Sequence, residues 1–310
     1  MNPDLKVMKS VTRFLVAAAL AAAAVELQTN PTAPVQPSTS RPSQTGYVLK
    51  RIPFSAVHHQ QAGIPRIRLW ESTSGNWSGY AVPLDTSGVS YIFSDVQGTW
   101  TVPTVTGNKR STTYSSTWVG LDGYDTGTVE QIGTEQDWTG GGQQNYVWFE
   151  MYPSGAYEIE GFPVDPGDSI SAQVQYVGQY NVLEGRGKSN MREGRGKSVE
   201  ESVFQLTIKN TTKNVSFSVP TSYTTVTSAA RTSAEWVAEA PSSWEILPLA
   251  DFGTVSFSGC NATSTGSSGK PEAISFWPSD PLTMIDPGGG QATPSSLLNK
   301  GTAFSVSWSQ

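Results

Sequence analysis

The sequence predicts an all-β protein, a sandwich or a barrel, on three observations. Short alternating or aromatic runs recur from Glu71 to the end of the chain. Gly, Pro, Asn, Asp and Ser cluster between them, and no long segment keeps a helical period. The first runs are aromatic: Trp77 to Val82, Tyr91 to Val102, Ser115 to Leu121 and Tyr146 to Tyr152. Then alternation takes over. Ser169 to Tyr176 places Ile170, Ala172, Val174 and Tyr176 on one face, and Ser202 to Lys209 does so with Phe204, Leu206 and Ile208. Asn214 to Val219, Ser233 to Ala238, Thr254 to Ser258 and Ala303 to Trp308 complete the set. Thr, Val, Trp and Tyr suit a pleated, half-buried surface. Many such strands without helices are the mark of a sandwich or barrel.

Before this body lie two segments of different character. Lys6, Lys9 and Arg13 precede an apolar run from Phe14 to Val25. Positive charge, a short apolar core and small Ala residues match a secretory signal peptide over residues 1–26, too short for a comfortable membrane span. Residues 27–70 are Pro-rich and basic, with no acid between Glu26 and Glu71. The split in charge is large: residues 1–70 have 8 basic and 2 acidic groups, and residues 71–310 have 12 and 24, giving formal charges of +6 and −12. A cationic leader on an anionic body predicts a propeptide held partly by charge. The expected product is a soluble, secreted monomer of residues 71–310 that binds neither nucleic acid nor membrane.

Chemistry in the body is narrowly bounded. The two histidines, His58 and His59, precede it, and Cys260 is the single cysteine. A Ser-His-Asp triad, a Cys-His pair and a histidine-ligated zinc are excluded there, and no internal disulfide can form. Carboxylates, amides and hydroxyls remain. Glu184-Gly-Arg-Gly-Lys-Ser189 recurs as Glu193-Gly-Arg-Gly-Lys-Ser198. A phosphate-binding loop would need glycine where Val182 and Met191 stand, so the repeat reads as a cationic surface loop. Asn76, Asn210, Asn214 and Asn261 head Asn-x-Ser/Thr glycan acceptor sequences.

Several segments stand out in order: Asn76-Trp-Ser-Gly-Tyr80, Gly98-Thr-Trp-Thr-Val-Pro103, Ser116-Thr-Trp-Val-Gly-Leu-Asp-Gly123, Thr128-Val-Glu-Gln-Ile-Gly-Thr134, Tyr146-Val-Trp-Phe-Glu-Met-Tyr-Pro153 and Thr232-Ser-Ala-Glu-Trp-Val-Ala-Glu239. Together they resemble the glutamic peptidases, or eqolisins. The resemblance implies an antiparallel two-sheet, concanavalin-like β-sandwich, endopeptidase activity at acid pH on protein or peptide substrates, and no cofactor or metal. The family's catalytic glutamine maps to Gln131 and its glutamate to Glu235. Trp118 and Asp122 match residues that line or support the site. Two departures are the absence of the disulfides of fungal members and the 184–198 insertion.

The chemistry stands on its own terms. Amide hydrolysis needs an activated water, a donor to the tetrahedral oxyanion and a proton for the leaving nitrogen. A buried glutamate of raised pKa can take and return a proton, and a glutamine amide can donate without titrating. Alternation groups Val129, Gln131 and Gly133 on one strand face and Ser233, Glu235 and Val237 on another. Taken alone, Gln131 reads as a solvent-facing strand residue, Glu235 as an edge-strand charge, Asp122 as a turn former and Trp118 as core. Glu130, Glu135, Asp137 and Glu239 read as solvated or hydrogen-bonded acids. The competing class is a carbohydrate-binding sandwich, either a lectin or a glycosidase pairing Glu235 with Glu150 or Asp122.

Overall fold

A computed structural model describes residues 46–52, 72–83, 91–183, 198–227, 229–243 and 245–310. The chain divides into two compact units, Met1–Ser43 and Gln44–Gln310, and every described residue belongs to the second. The signal peptide, most of the leader and the duplicated loop lie outside the described residues. Among the described residues no helix is long and apolar enough to cross a membrane.

One layer of the fold is read across its ladders. Strand Tyr157–Glu160 pairs with Gln143–Tyr152, which pairs with Val129–Thr139, and then follow Ser116–Leu121, Ala234–Glu239, Trp77–Val82 and Asp280–Ile285. A hairpin from Asp280–Ile285 to Gln291–Pro294 turns into the second layer. That layer continues through Phe304–Ser309, Thr254–Ser264, Phe93–Thr101, Ser169–Leu183 and Ser198–Asn210. All these neighbours are antiparallel. The short strand Ser72–Ser74 is the exception, running parallel to Leu282–Met284. The result is the predicted two-sheet antiparallel sandwich.

The layers meet over one apolar core. Val119, Ile132, Phe149 and Trp236 of the first sheet join Val96, Val174, Leu206 and Phe257 of the second. Two indoles stitch the layers with polar contacts: Trp236 Nε1 donates to the Gln97 carbonyl at 2.8 Å and Trp100 Nε1 to Thr134 Oγ1 at 2.9 Å. A buried indole N–H without such a partner would cost roughly 1–3 kcal/mol. Cys260 is buried and free.

The sequence reading missed some strands for a physical reason. Tyr157–Glu160 and Gln291–Pro294 span four residues each, and Asp280–Ile285 is interrupted by Pro281, which weakens a strand signal. Val129–Thr139, which the sequence reading treated as a strand around Gln131, carries Glu130, Gln131, Thr134, Glu135, Gln136 and Asp137 and shows no apolar alternation. They are buried all the same, because this strand lies in the interior of the sheet with both faces covered.

Candidate active site

The outer face of the first sheet carries the candidate residues. Ala234, Trp236 and Ala238 enter the shared core, so Ser233, Glu235, Val237 and Glu239 take the opposite face. That face has its own apolar cluster of Trp77, Ala81, Trp118, Tyr124, Trp148, Val237 and Leu282.

Register brings Gln131 and Glu235 into line. Gly120 is paired with Gln131 on one side and with Glu235 on the other. The row extends to Glu150 beyond Gln131, and to Ala81 and Asp280 beyond Glu235. Gln131 and Glu235 thus stand on strands two apart, roughly 9.5 Å between backbones. The residue between them has no side chain. A Cβ at Gly120 would lie 3.0 Å from Trp118 Cζ3 and 3.1 Å from Gln131 Cβ, so a bare backbone leaves the space above it to the two flanking polar groups.

Each group is held. Gln131 Nε2 donates to Glu150 Oε2 at 2.9 Å. Trp118 Nε1 donates to Glu239 Oε2 at 2.7 Å, and Asn76 Nδ2 donates to Glu239 Oε1 at 3.0 Å. The Trp118 ring packs edge-on against Trp77, centroids 4.9 Å apart. Asp122 is fully buried in the left-handed region at φ 65°, a conformation that aspartate tolerates better than most residues. Its carboxylate accepts from the Arg231 N–H at 2.7 Å, the Thr232 N–H at 2.9 Å and the Thr128 hydroxyl at 3.4 Å. One side chain therefore ties the turn after the Trp118 strand to the entrances of both the Gln131 and Glu235 strands.

The electrostatics follow from dehydration. Glu235 is 0 % exposed. Burial pushes its carboxyl well above the usual range, nearby Asp122, Glu130 and Asp125 push it further, and only the Ser233 hydroxyl favours the ionised form. Burial raises Glu239 as well, against the Trp118, Trp77 and Asn76 donors. Asp122 is raised by burial and held back by its backbone donors.

Compared with the sequence reading, Gln131 is not solvent-facing and Glu235 is not on an edge strand. Trp118 lies against the Gly120 position between them, and Asp122 accepts from the segments that enter both their strands. Of the two readings of Glu130, Glu135, Asp137 and Glu239, solvated or hydrogen-bonded, the solvated one is corrected, since all four are buried. Glu239 is hydrogen-bonded, and Glu135 and Asp137 interact with each other. The alternation that placed Glu235 also placed Glu239, four residues on, on the same face. Asn76 and Asn210 are buried and hydrogen-bonded through their side chains, which bars them as glycan acceptors in the folded chain. Among the described residues no cluster of His, Cys, Asp or Glu could hold a metal ion.

The first sheet thus carries an amide and a dehydrated carboxyl in register on one outer face, in a body without histidine. The sequence profile of the Peptidase A4 family matches residues 75–183 and 197–307. The chain belongs to that family and is a glutamic endopeptidase, acid-active in class. Aspergillopepsin-2 of Aspergillus niger is 27 % identical over 221 residues, 65 % of this chain and 68 % of that protein. Scytalido-glutamic peptidase, solved with a transition-state analogue inhibitor, superposes with a TM-score of 0.54 at 23 % identity, covering 76 % of this chain and 98 % of the other. SCP-B, an eqolisin solved with the tripeptide Ala-Ile-His, superposes at 0.50 with 21 % identity over 76 % and 98 %. These two likenesses concern the fold. The gap between the two matched segments coincides with the duplicated insertion.

Proposed function

We propose that Glu235 and Gln131 are the catalytic dyad of a secreted acid endopeptidase. The observation that carries this is the register of Gln131 and Glu235 on either side of the bare Gly120 backbone. Glu235, ionised, takes a proton from water as the water oxygen attacks the peptide carbonyl carbon. The carbonyl π electrons move to oxygen, and Gln131 Nε2 donates to that oxyanion. Collapse of the tetrahedral intermediate expels the amine, which receives the proton from Glu235. A raised pKa makes the ionised carboxylate the stronger base for the first half, and in the second half the proton it has taken passes to the far more basic amine. An amide nitrogen carries two hydrogens. Glu150 holds one and so fixes the plane of the amide, and the mechanism uses the other. Trp118 lines the face beside the dyad, and Asp122 sets the approach of its two strands.

The leader, residues 27–70, is a propeptide in this reading. Its formal excess of base faces the acidic body at neutral pH, and the attraction fails as carboxylates protonate. The Lys50 Nζ–Glu158 Oε2 pair at 3.7 Å is one such contact. Export by the N-terminal signal completes the assignment.

The test is digestion of a protein substrate at acid pH by the wild type, Glu235→Gln and Gln131→Ala. Each variant should lose roughly a hundredfold or more in turnover. Wild-type rates from folded Glu235→Gln would refute the dyad.

A further inference from the structure

We infer that residues 47–52 form a non-covalent anchor that keeps the cut leader on the body, occupying the outer edge of the site-bearing sheet. The inference rests on reading residues 27–70 as the propeptide of this peptidase, and it adds where and how that propeptide docks.

Without residues 48–51, Tyr157–Glu160 would be the outer strand of the first sheet, with one row of backbone donors and acceptors unpaired. Such an edge accepts an extended segment. Val48–Arg51 takes that place, pairing antiparallel from Val48 opposite Glu160 to Arg51 opposite Tyr157. Side chains alternate between two sets of contacts. Tyr47 and Leu49 turn toward the core between the sheets. The Tyr47 ring wedges between Phe162 and Phe217, centroids 5.5 and 5.7 Å away. Arg51 lies 6.0 Å over the Tyr157 ring, which itself stacks on Phe149. On the other face, Lys50 pairs with Glu158.

Ile52 links the anchor to the active site. Its N–H donates to the Ala156 carbonyl at 2.9 Å, continuing the strand. Its side chain packs against the cluster of Trp77, Trp118, Trp148 and Val237 on the dyad's face. Gln131 and Glu235 are both 0 % exposed, which is no state for admitting substrate. The chain is next described at Ser72, paired beside Leu282 at the opposite end of the same sheet. In the order of this sheet the strands of Gln131 and Glu235 lie between Val48–Arg51 and Ser72–Ser74. A ladder, an aromatic wedge and a cation over a ring do not depend on chain continuity past residue 52. A cut between Ile64 and Ser72 therefore leaves this contact intact, and activation needs a second step that strips the strand from Tyr157–Glu160.

The experiment uses the full chain with a recognition sequence for a specific protease substituted within residues 64–71. The chain is nicked at neutral pH, passed over a gel-filtration column and weighed by native mass spectrometry. The fragment containing residues 47–52 should travel with the body at one to one. In Tyr47→Ala/Arg51→Ala the fragment should dissociate with a constant raised roughly tenfold to a hundredfold, as expected for losing aromatic and cation–ring contacts, and Tyr47→Phe should retain it. Hydrogen exchange at the Tyr157–Glu160 amides should quicken only where the fragment leaves. Loss of the unmodified fragment on the first column, or equal retention by the double variant, overturns the anchor. Retention is read by mass, so it decides the anchor whether or not the body digests protein, and a failed digestion assay counts against the dyad alone.

Discussion

Raising the pH should destabilise this fold. Glu130, Glu135, Asp137, Glu235 and Glu239 all have carboxyl groups held above their ordinary range, with burial the largest cause at each. A carboxyl whose pKa is raised by folding keeps its proton in the folded chain after the unfolded chain has released it. Its contribution to stability is therefore complete below the unfolded value, about 4, and is lost as pH climbs through the folded value. Burial raises both members of the Glu135–Asp137 pair, and the Asp137 charge raises Glu135 further. A carboxyl held a single pH unit above its ordinary range is worth about 1.4 kcal/mol, so the pair's loss with rising pH is on the order of a few kcal/mol. In a domain of this size that lowers Tm by several degrees. The assay is a circular-dichroism melt of the Glu235→Gln chain, which avoids self-digestion, at several pH values from about 3.5 to 7. Glu135→Gln/Asp137→Asn in the same background should melt with a flatter pH dependence. A Tm that stays level or rises over this range, or a double variant with the parent's slope, would refute the reasoning.

Three further outcomes follow from the site. Glu150→Ala removes the acceptor that orients the Gln131 amide, so kcat should fall roughly tenfold to a hundredfold with little change in KM, measured by steady-state peptide cleavage. Asp122→Ala leaves the Arg231 and Thr232 N–H groups without their acceptor. Denaturant unfolding should show a loss of about 2–4 kcal/mol, and Asp122→Asn should lose less because it keeps one acceptor and tolerates positive φ. Gly120→Ala puts a methyl 3.0 Å from Trp118 Cζ3 and 3.1 Å from Gln131 Cβ. Activity should drop more than stability, by about tenfold or more against about 1–2 kcal/mol, and equal wild-type kinetics would show that the gap between Gln131 and Glu235 is not needed.

The strands with clean alternation could be read directly. Ile170, Ala172 and Val174, and Phe204, Leu206 and Ile208, enter the core as their two-residue period requires. The same period put Ser233, Glu235 and Val237 on one face, and Trp236 in the core between the sheets with Val237 in the outer-face cluster bears out the alternation. In the Gln131 strand the same period put Val129, Gln131 and Gly133 on one face, and Ile132 enters the core on the other; what its polar residues did not signal is that they are buried.

By itself the sequence determined the all-β class, the absence of histidine chemistry in the body, the opposed charges of leader and body, and the ordered motifs that named Gln131, Glu235, Trp118 and Asp122. Only the tertiary structure decided that Gly120 stands between Gln131 and Glu235, that Glu150 holds the amide, that Glu239 holds Trp118, and that Ile52 reaches the dyad's face. Alternation is a local property, fixed by backbone geometry within one strand. Register and burial are set by which strands pair, and those partners here lie up to more than a hundred residues apart, as Trp118 and Glu239 do. The raised carboxyls belong to the second kind: their proton affinity comes from lost water, and water is excluded by strands that only the fold brings together.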